Sequence, residues 1–92
     1  MSQVSIRKVG YREYRAAPRG SGLVYEIREG GWTSGRPGER IYSIDRIDSE
    51  GTRTAIAGPY VYSNVPSTLR ECEHEIWMDL PDFVKWPEAP VG

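Results

Sequence analysis

The sequence is poor in reactive side chains. It holds one cysteine, Cys72, and one histidine, His74. A single cysteine excludes a disulfide within the chain, and with one histidine it excludes a cysteine-rich zinc site. Lys8 and Lys85 are the only lysines, and neither follows a glycine as the Gly-Lys-Ser/Thr ending of a phosphate-binding loop requires. No apolar run approaches the roughly 20 residues of a membrane-spanning helix, and the opening MSQVSIRKVGYR lacks the apolar core of a signal peptide. The inventory predicts no cofactor, no metal, no membrane partner and a cytoplasmic location.

Ninety-two residues give room for one hydrophobic core and hence one domain. Hydrophobic residues make up 38% and charged ones 27%, which places the chain among folded domains rather than disordered tails. The net charge of −1 supplies no global attraction to nucleic acid or membrane. Charge is nevertheless uneven along the chain: residues 1–40 carry eight Lys/Arg against four Asp/Glu, and residues 41–92 carry four against nine. Ten of the twelve basic residues are arginine, whose planar fork binds carboxylates and phosphates bidentately. Six tyrosines and three tryptophans accompany them, and Tyr, Trp and Arg are the residue types enriched at interface hot spots.

The alternation of side chains predicts strands up to residue 63. VSIRKVGYREY reads as one long strand, with a bulge near Lys8 where Val9 and Tyr11 slip out of phase with Val4 and Ile6. PRGSG is a turn cluster, and LVYEIRE follows with Leu23, Tyr25 and Ile27 on one face. RIYSIDRID reads as a bulged strand closed by the turn DSEG. TRTAIAGPYVY is a fourth strand that bends, or lies at an edge, because Gly58-Pro59 interrupts it. A helix is predicted over 66–80. Thr68 and Glu71 have the spacing of a capping box, and Leu69, Cys72, Ile76, Trp77 and Leu80 form one apolar stripe before Pro81 ends the helix. Residues 81–92 read as an extended Pro-rich tail. The predicted fold class is α+β: an antiparallel β-meander of about four strands with one C-terminal helix packed on the sheet.

Catalytic arrangements do not fit this pattern. Cys72 and His74 are two apart on the helix, so their side chains diverge. Glu71 and Glu75, one helical turn apart, read as a solvated face rather than an acid–base pair. Glu73 borders the apolar stripe, where a carboxylate calls for an arginine from a facing strand. The chain is therefore expected not to be an enzyme.

Three stretches remain as candidates for recognition. GGWTSGRPGER, Gly30–Arg40, is long for a hairpin connection; it offers Trp32 as contact area and Arg36 and Arg40 as planar donors. Its alternative role is an ordinary loop with Trp32 folded onto the core. Arg19 joins that patch only if the 18–22 turn and the 30–40 loop share one end of the sheet, which a simple meander does not provide. The second surface is the helix back, where Glu71, Glu75, Asp79 and Met78 are predicted to project from the core as an acidic face. The third is the tail, whose Phe83 and Trp86 pack on their own sheet, on a partner or on a second copy of the chain.

In layout, the strand-rich region to Tyr62 and the single helix STLRECEHEIWMDLP resemble small accessory proteins of phages and mobile elements, anti-CRISPR inhibitors among them. That resemblance implies one compact domain that acts by occluding a surface on a host complex, and it carries no functional residues across. The leading expectation is a non-enzymatic protein-binding module whose partner is a protein or nucleoprotein complex, with inhibition of a host nucleoprotein complex by occlusion as its most concrete form. Two alternatives stand beside it: a nucleic-acid-binding domain using the basic N-terminal hairpin, and a homo-oligomeric structural or assembly protein, a homodimer being the simplest case.

Overall fold

A computed structural model of the chain describes residues 4–30, 41–58 and 65–85. Strands β1 (Ile6–Gly10), β2 (Glu13–Ala16), β3 (Val24–Gly30), β4 (Ile41–Ile47) and β5 (Arg53–Ala57) precede helix α1 (Leu69–Asp79) and a single helical turn, α2 (Asp82–Lys85). The strands lie in chain order in one sheet, every neighbouring pair antiparallel. The α+β class and the meander are as expected, with five strands in place of about four. The extra strand comes from the N-terminal segment, which is a hairpin rather than one long strand. The chain reverses at Tyr11–Arg12, where Arg12 adopts φ 57°, a conformation the sequence does not advertise because glycine or asparagine usually fills it.

Local chemistry fixes the remaining joints. Lys8 pairs with Tyr14 and Gly10 with Glu13, so Val9 is the extra residue of a bulge beside the predicted position. The turn from β2 to β3 closes on Ser21, whose hydroxyl donates to the Pro18 carbonyl at 2.6 Å and accepts from the Leu23 amide at 3.0 Å. Asp48 organises the turn from β4 to β5 by accepting from the amides of Glu50 and Thr52, both at 2.9 Å. At the start of α1 the Glu71 amide donates to the Thr68 hydroxyl at 3.1 Å. The Glu71 carboxylate reaches one residue further back than predicted, accepting from the Ser67 amide at 2.6 Å and its hydroxyl at 2.9 Å. Leu80 ends the helix with its amide on the Ile76 and Trp77 carbonyls, and Pro81 follows.

Residues 82–85 form the turn of α2 rather than an extended tail, with Val84 buried and Phe83 outward; residues 86–92, Trp86 among them, lie outside the described residues. Lys85 folds back, its ammonium 5.7 Å from the Trp77 ring centroid and 3.3 Å from the Met78 carbonyl. A cation there complements the negative end of the α1 dipole.

Register assigns the side chains to two faces. Ile6, Tyr14, Ala16, Tyr25, Ile27, Tyr42, Ile44, Arg46 and Ala57 point towards the helix. Cys72, Ile76 and Leu80 of α1 close over them, with Leu69 and Trp77 packed at the margin. The core rests on fully buried Tyr25, Ile27, Ile44, Cys72 and Ile76, and removing a side chain of this size from water is worth about 1.5–3 kcal/mol. The second face of the sheet is covered by no described element.

Candidate functional site

Side chains out of phase with the core occupy that second face: Arg7 on β1, Glu13 and Arg15 on β2, Glu26 and Arg28 on β3, Ser43 and Asp45 on β4, Arg53 and Ala55 on β5. One rung crosses the sheet as Arg7, Arg15, Glu26, Asp45 and Ala55, each directly opposite the next. Two cations therefore stand side by side, followed by two anions. Like charges in that position repel. The anionic pair is clamped: Arg53 donates to Glu26 at 2.8 Å and to Asp45 at 3.2 Å. Hydrogen bonding from Arg53 holds the Glu26 carboxyl below the ordinary glutamate range, and the same contacts raise the Arg53 guanidinium. Arg15 touches Glu26 more loosely, at 3.4 Å. The side chains of Arg7 and Arg28 make no hydrogen bond or ion pair with any described residue, although the charge of Arg28 adds a smaller pull on Glu26. A depression of about 110 Å³ lies among Val9, Glu13, Arg15, Glu26 and Arg28.

This face was not among the surfaces expected from sequence. The signal was present, since each of these residues alternates with a core position, but a charged residue out of phase on a strand reads by default as solvated. The opposite is true of Asp79. Expected to project outward, it stands three residues after Ile76 and seven after Cys72, on the buried stripe, and its carboxylate faces the sheet. It accepts from the Tyr25 hydroxyl at 2.6 Å and from Arg46 at 2.8 and 3.1 Å. A strand arginine does pair with a helix carboxylate, but with Asp79; Glu73 has no ion pair among the described residues. Burial, and then the hydrogen bond to Asp79, push the Tyr25 hydroxyl well above the ordinary tyrosine range.

The acidic helix surface is thus divided. Glu71 caps the helix, and the Ser67 amide holds its carboxyl below the usual range. Glu75 lines an open groove of about 640 Å³ with Val65, Pro66, Arg70, Glu71 and His74. Met78 is 61% exposed and Phe83 67%. Cys72 is buried and its thiol pushed up to about 12 by desolvation, then by the neighbouring glutamates, so it is a packing residue rather than a nucleophile.

Trp32, Arg36 and Arg40 lie outside the described residues. Arg19 is exposed in the turn joining β2 to β3, at the opposite end of the sheet from Gly30 and Ile41, the strand ends that flank residues 31–40. The turn that does share that end is Tyr11–Arg12, where the Arg12 carbonyl accepts from the Glu29 amide at 2.9 Å. Tyr11 is 80% exposed there, and the Arg12 guanidinium sits 5.1 Å from its ring centroid. Comparison with known proteins gives no match to a family model, to a curated protein or to a solved structure.

Proposed function

We propose that the chain is a non-enzymatic protein-binding module that recognises its partner with the open face of the sheet and the Tyr11–Arg12 turn. The observation that carries this reading is the open face itself: arginines and carboxylates held at fixed strand positions, beside an exposed Tyr–Arg turn of the kind that makes interface hot spots. Strands present these groups without a backbone ordering cost on binding, because the backbone that carries them is already fixed.

Nucleic acid is the less favoured partner. Proteins that grip single strands stack bases on exposed aromatic side chains. Tyr14, Tyr25 and Tyr42 all point towards the helix, which leaves Tyr11 in the turn as the one exposed tyrosine among the described residues, and the described open face bears Glu13, Glu26 and Asp45 between its arginines. Self-association draws support from a separate observation, the exposure of Met78 and Phe83 at the helical end of the molecule. In its narrowest form the module would inhibit a nucleoprotein complex by covering a charged patch on one of its protein subunits.

Affinity capture from bacterial lysate, with and without nuclease, separates these readings. The module reading expects a protein retained in stoichiometric amount after nuclease treatment. Capture that vanishes with nuclease contradicts it in favour of nucleic acid, and recovery of the bait alone, with a doubled solution mass, contradicts it in favour of self-assembly.

A further inference from the structure

We infer that Arg7, Arg15 and Arg28 form a docking site for an acidic protein segment in extended conformation; this rests on the protein-binding reading above. The charges of the open face are unevenly compensated. Along the rung Arg7–Arg15–Glu26–Asp45, Arg53 neutralises the adjacent carboxylates, and no described acid bridges the adjacent arginines in the same way. Among the described residues Glu26 is the one acid paired with Arg15, and its other oxygen is already held by Arg53 at the shorter distance, 2.8 Å against 3.4 Å. Directly opposed like charges destabilise a sheet, so Arg7 beside Arg15 is a cost in the free protein that an anion in the gap would remove.

The geometry selects the anion. Arg15 and Arg28 are diagonal neighbours, because Arg28 faces Glu13 and Arg15 faces Glu26. Diagonal positions in a sheet lie about 7–8 Å apart. An extended chain repeats its side chains on one side every two residues, at about 6.6–6.8 Å. Carboxylates at alternate positions of such a segment therefore meet Arg15 and Arg28 in turn, while Arg7 takes a flanking one. Val9, 44% exposed at the bulge, adds apolar contact beside the depression. Glu13 and Glu26 line the same depression, and the described open-face positions of the strands include no aromatic ring on which bases could stack, so a peptide suits it better than a single-stranded nucleic acid.

Fluorescence anisotropy tests this with two labelled probes of equal length, a peptide of alternating glutamate and serine and an oligothymidylate. The expected result is saturable binding of the peptide that weakens as salt is raised, tighter than that of the oligothymidylate. Arg7→Ala with Arg15→Ala is expected to weaken peptide binding at least about tenfold, as loss of charge-assisted contacts does. Arg70→Ala, on the helix side, leaves it unchanged. Should the double variant fail to fold, Arg28→Gln alone carries the test, with a weakening of about threefold or more. The inference is overturned if wild type does not bind the peptide, if the open-face variants bind it as wild type does, or if the oligothymidylate binds more tightly. Applying the double variant to lysate capture keeps the two readings apart: a nuclease-resistant protein captured undiminished removes this docking site and leaves the module reading standing, whereas no captured protein at all removes the module reading.

Discussion

The Tyr25 hydroxyl on β3 and the Asp79 carboxylate at the end of α1, 54 residues apart in the chain, share a hydrogen bond of 2.6 Å. Arg46, directly opposite Tyr25 on β4, holds the same carboxylate at 2.8 Å. The three groups fasten the C-terminal end of α1 to the centre of the sheet. Asp79→Ala leaves the phenol and the guanidinium without their acceptor, at an expected cost of about 1–3 kcal/mol. Tyr25→Phe removes one donor and leaves the ion pair, so it is expected to cost less, about 0.5–1.5 kcal/mol. Urea denaturation of the two variants checks the ranking.

Gly58 is buried at the end of β5 with φ +135°, where a Cβ would stand 3.0 Å from the Ser43 Cβ and 3.2 Å from its Cα. Both the conformation and the space are closed to a side chain. Gly58→Ala is expected to destabilise by about 1–3 kcal/mol. Adding Ser43→Gly removes the closer of the two contacts but neither the one to Cα nor the backbone strain, so a thermal melt is expected to show at most partial recovery.

The acid and alkaline limits of stability have different origins. Glu26 and Glu71 titrate below their unfolded range, held by Arg53 and by the Ser67 amide respectively. Their contribution is present in full well above pH of about 4.3 and lost as pH falls through the depressed folded values. Glu71→Ala is expected to flatten the acid arm of a stability-versus-pH curve, and Glu71→Gln to flatten it while retaining the acceptor for Ser67. Tyr25 works in the other direction. Its raised value means the folded state keeps a proton that the unfolded state loses, so stability is present below a pH of about 10 and declines above it. Tyr25→Phe is expected to reduce that alkaline decline.

Cys72 has no accessible surface, and desolvation keeps its thiol protonated across the neutral range. An aromatic disulfide reagent at pH 8 is expected to leave the native protein unlabelled and to react once denaturant unfolds it. Rapid labelling of the native protein would contradict this burial.

The helix was legible in the sequence because two independent signals, the Thr68–Glu71 cap and the Leu69–Cys72–Ile76–Leu80 stripe, agree on it. Strands β3 and β4 were legible for the same reason, the phase of Tyr25 and Ile27 ending at turns. The N-terminal hairpin was not, because its reversal falls on Tyr11 and Arg12, neither of which favours a turn, and the residues on both sides are good strand formers. Asp79 was misplaced for an electrostatic reason: its spacing put it with the core, but its charge suggested water, and the compensating Arg46 and Tyr25 lie on other elements. The open-face pattern depends on register between strands, which a single sequence does not specify. Arg7 beside Arg15 becomes visible only once β1 is paired with β2.

The proposed function predicts that the partner lies against the open face and not against the helix. Ala55 is exposed on that face and His74 is exposed on α1, and the His74 side chain makes no hydrogen bond or ion pair with a described residue. The decisive measurement is photocrosslinking in nuclease-treated lysate with a benzophenone side chain at one or the other position. The account predicts a discrete protein adduct from position 55 and none from position 74. An adduct from position 74 alone, or nucleic acid in place of protein at position 55, would contradict it.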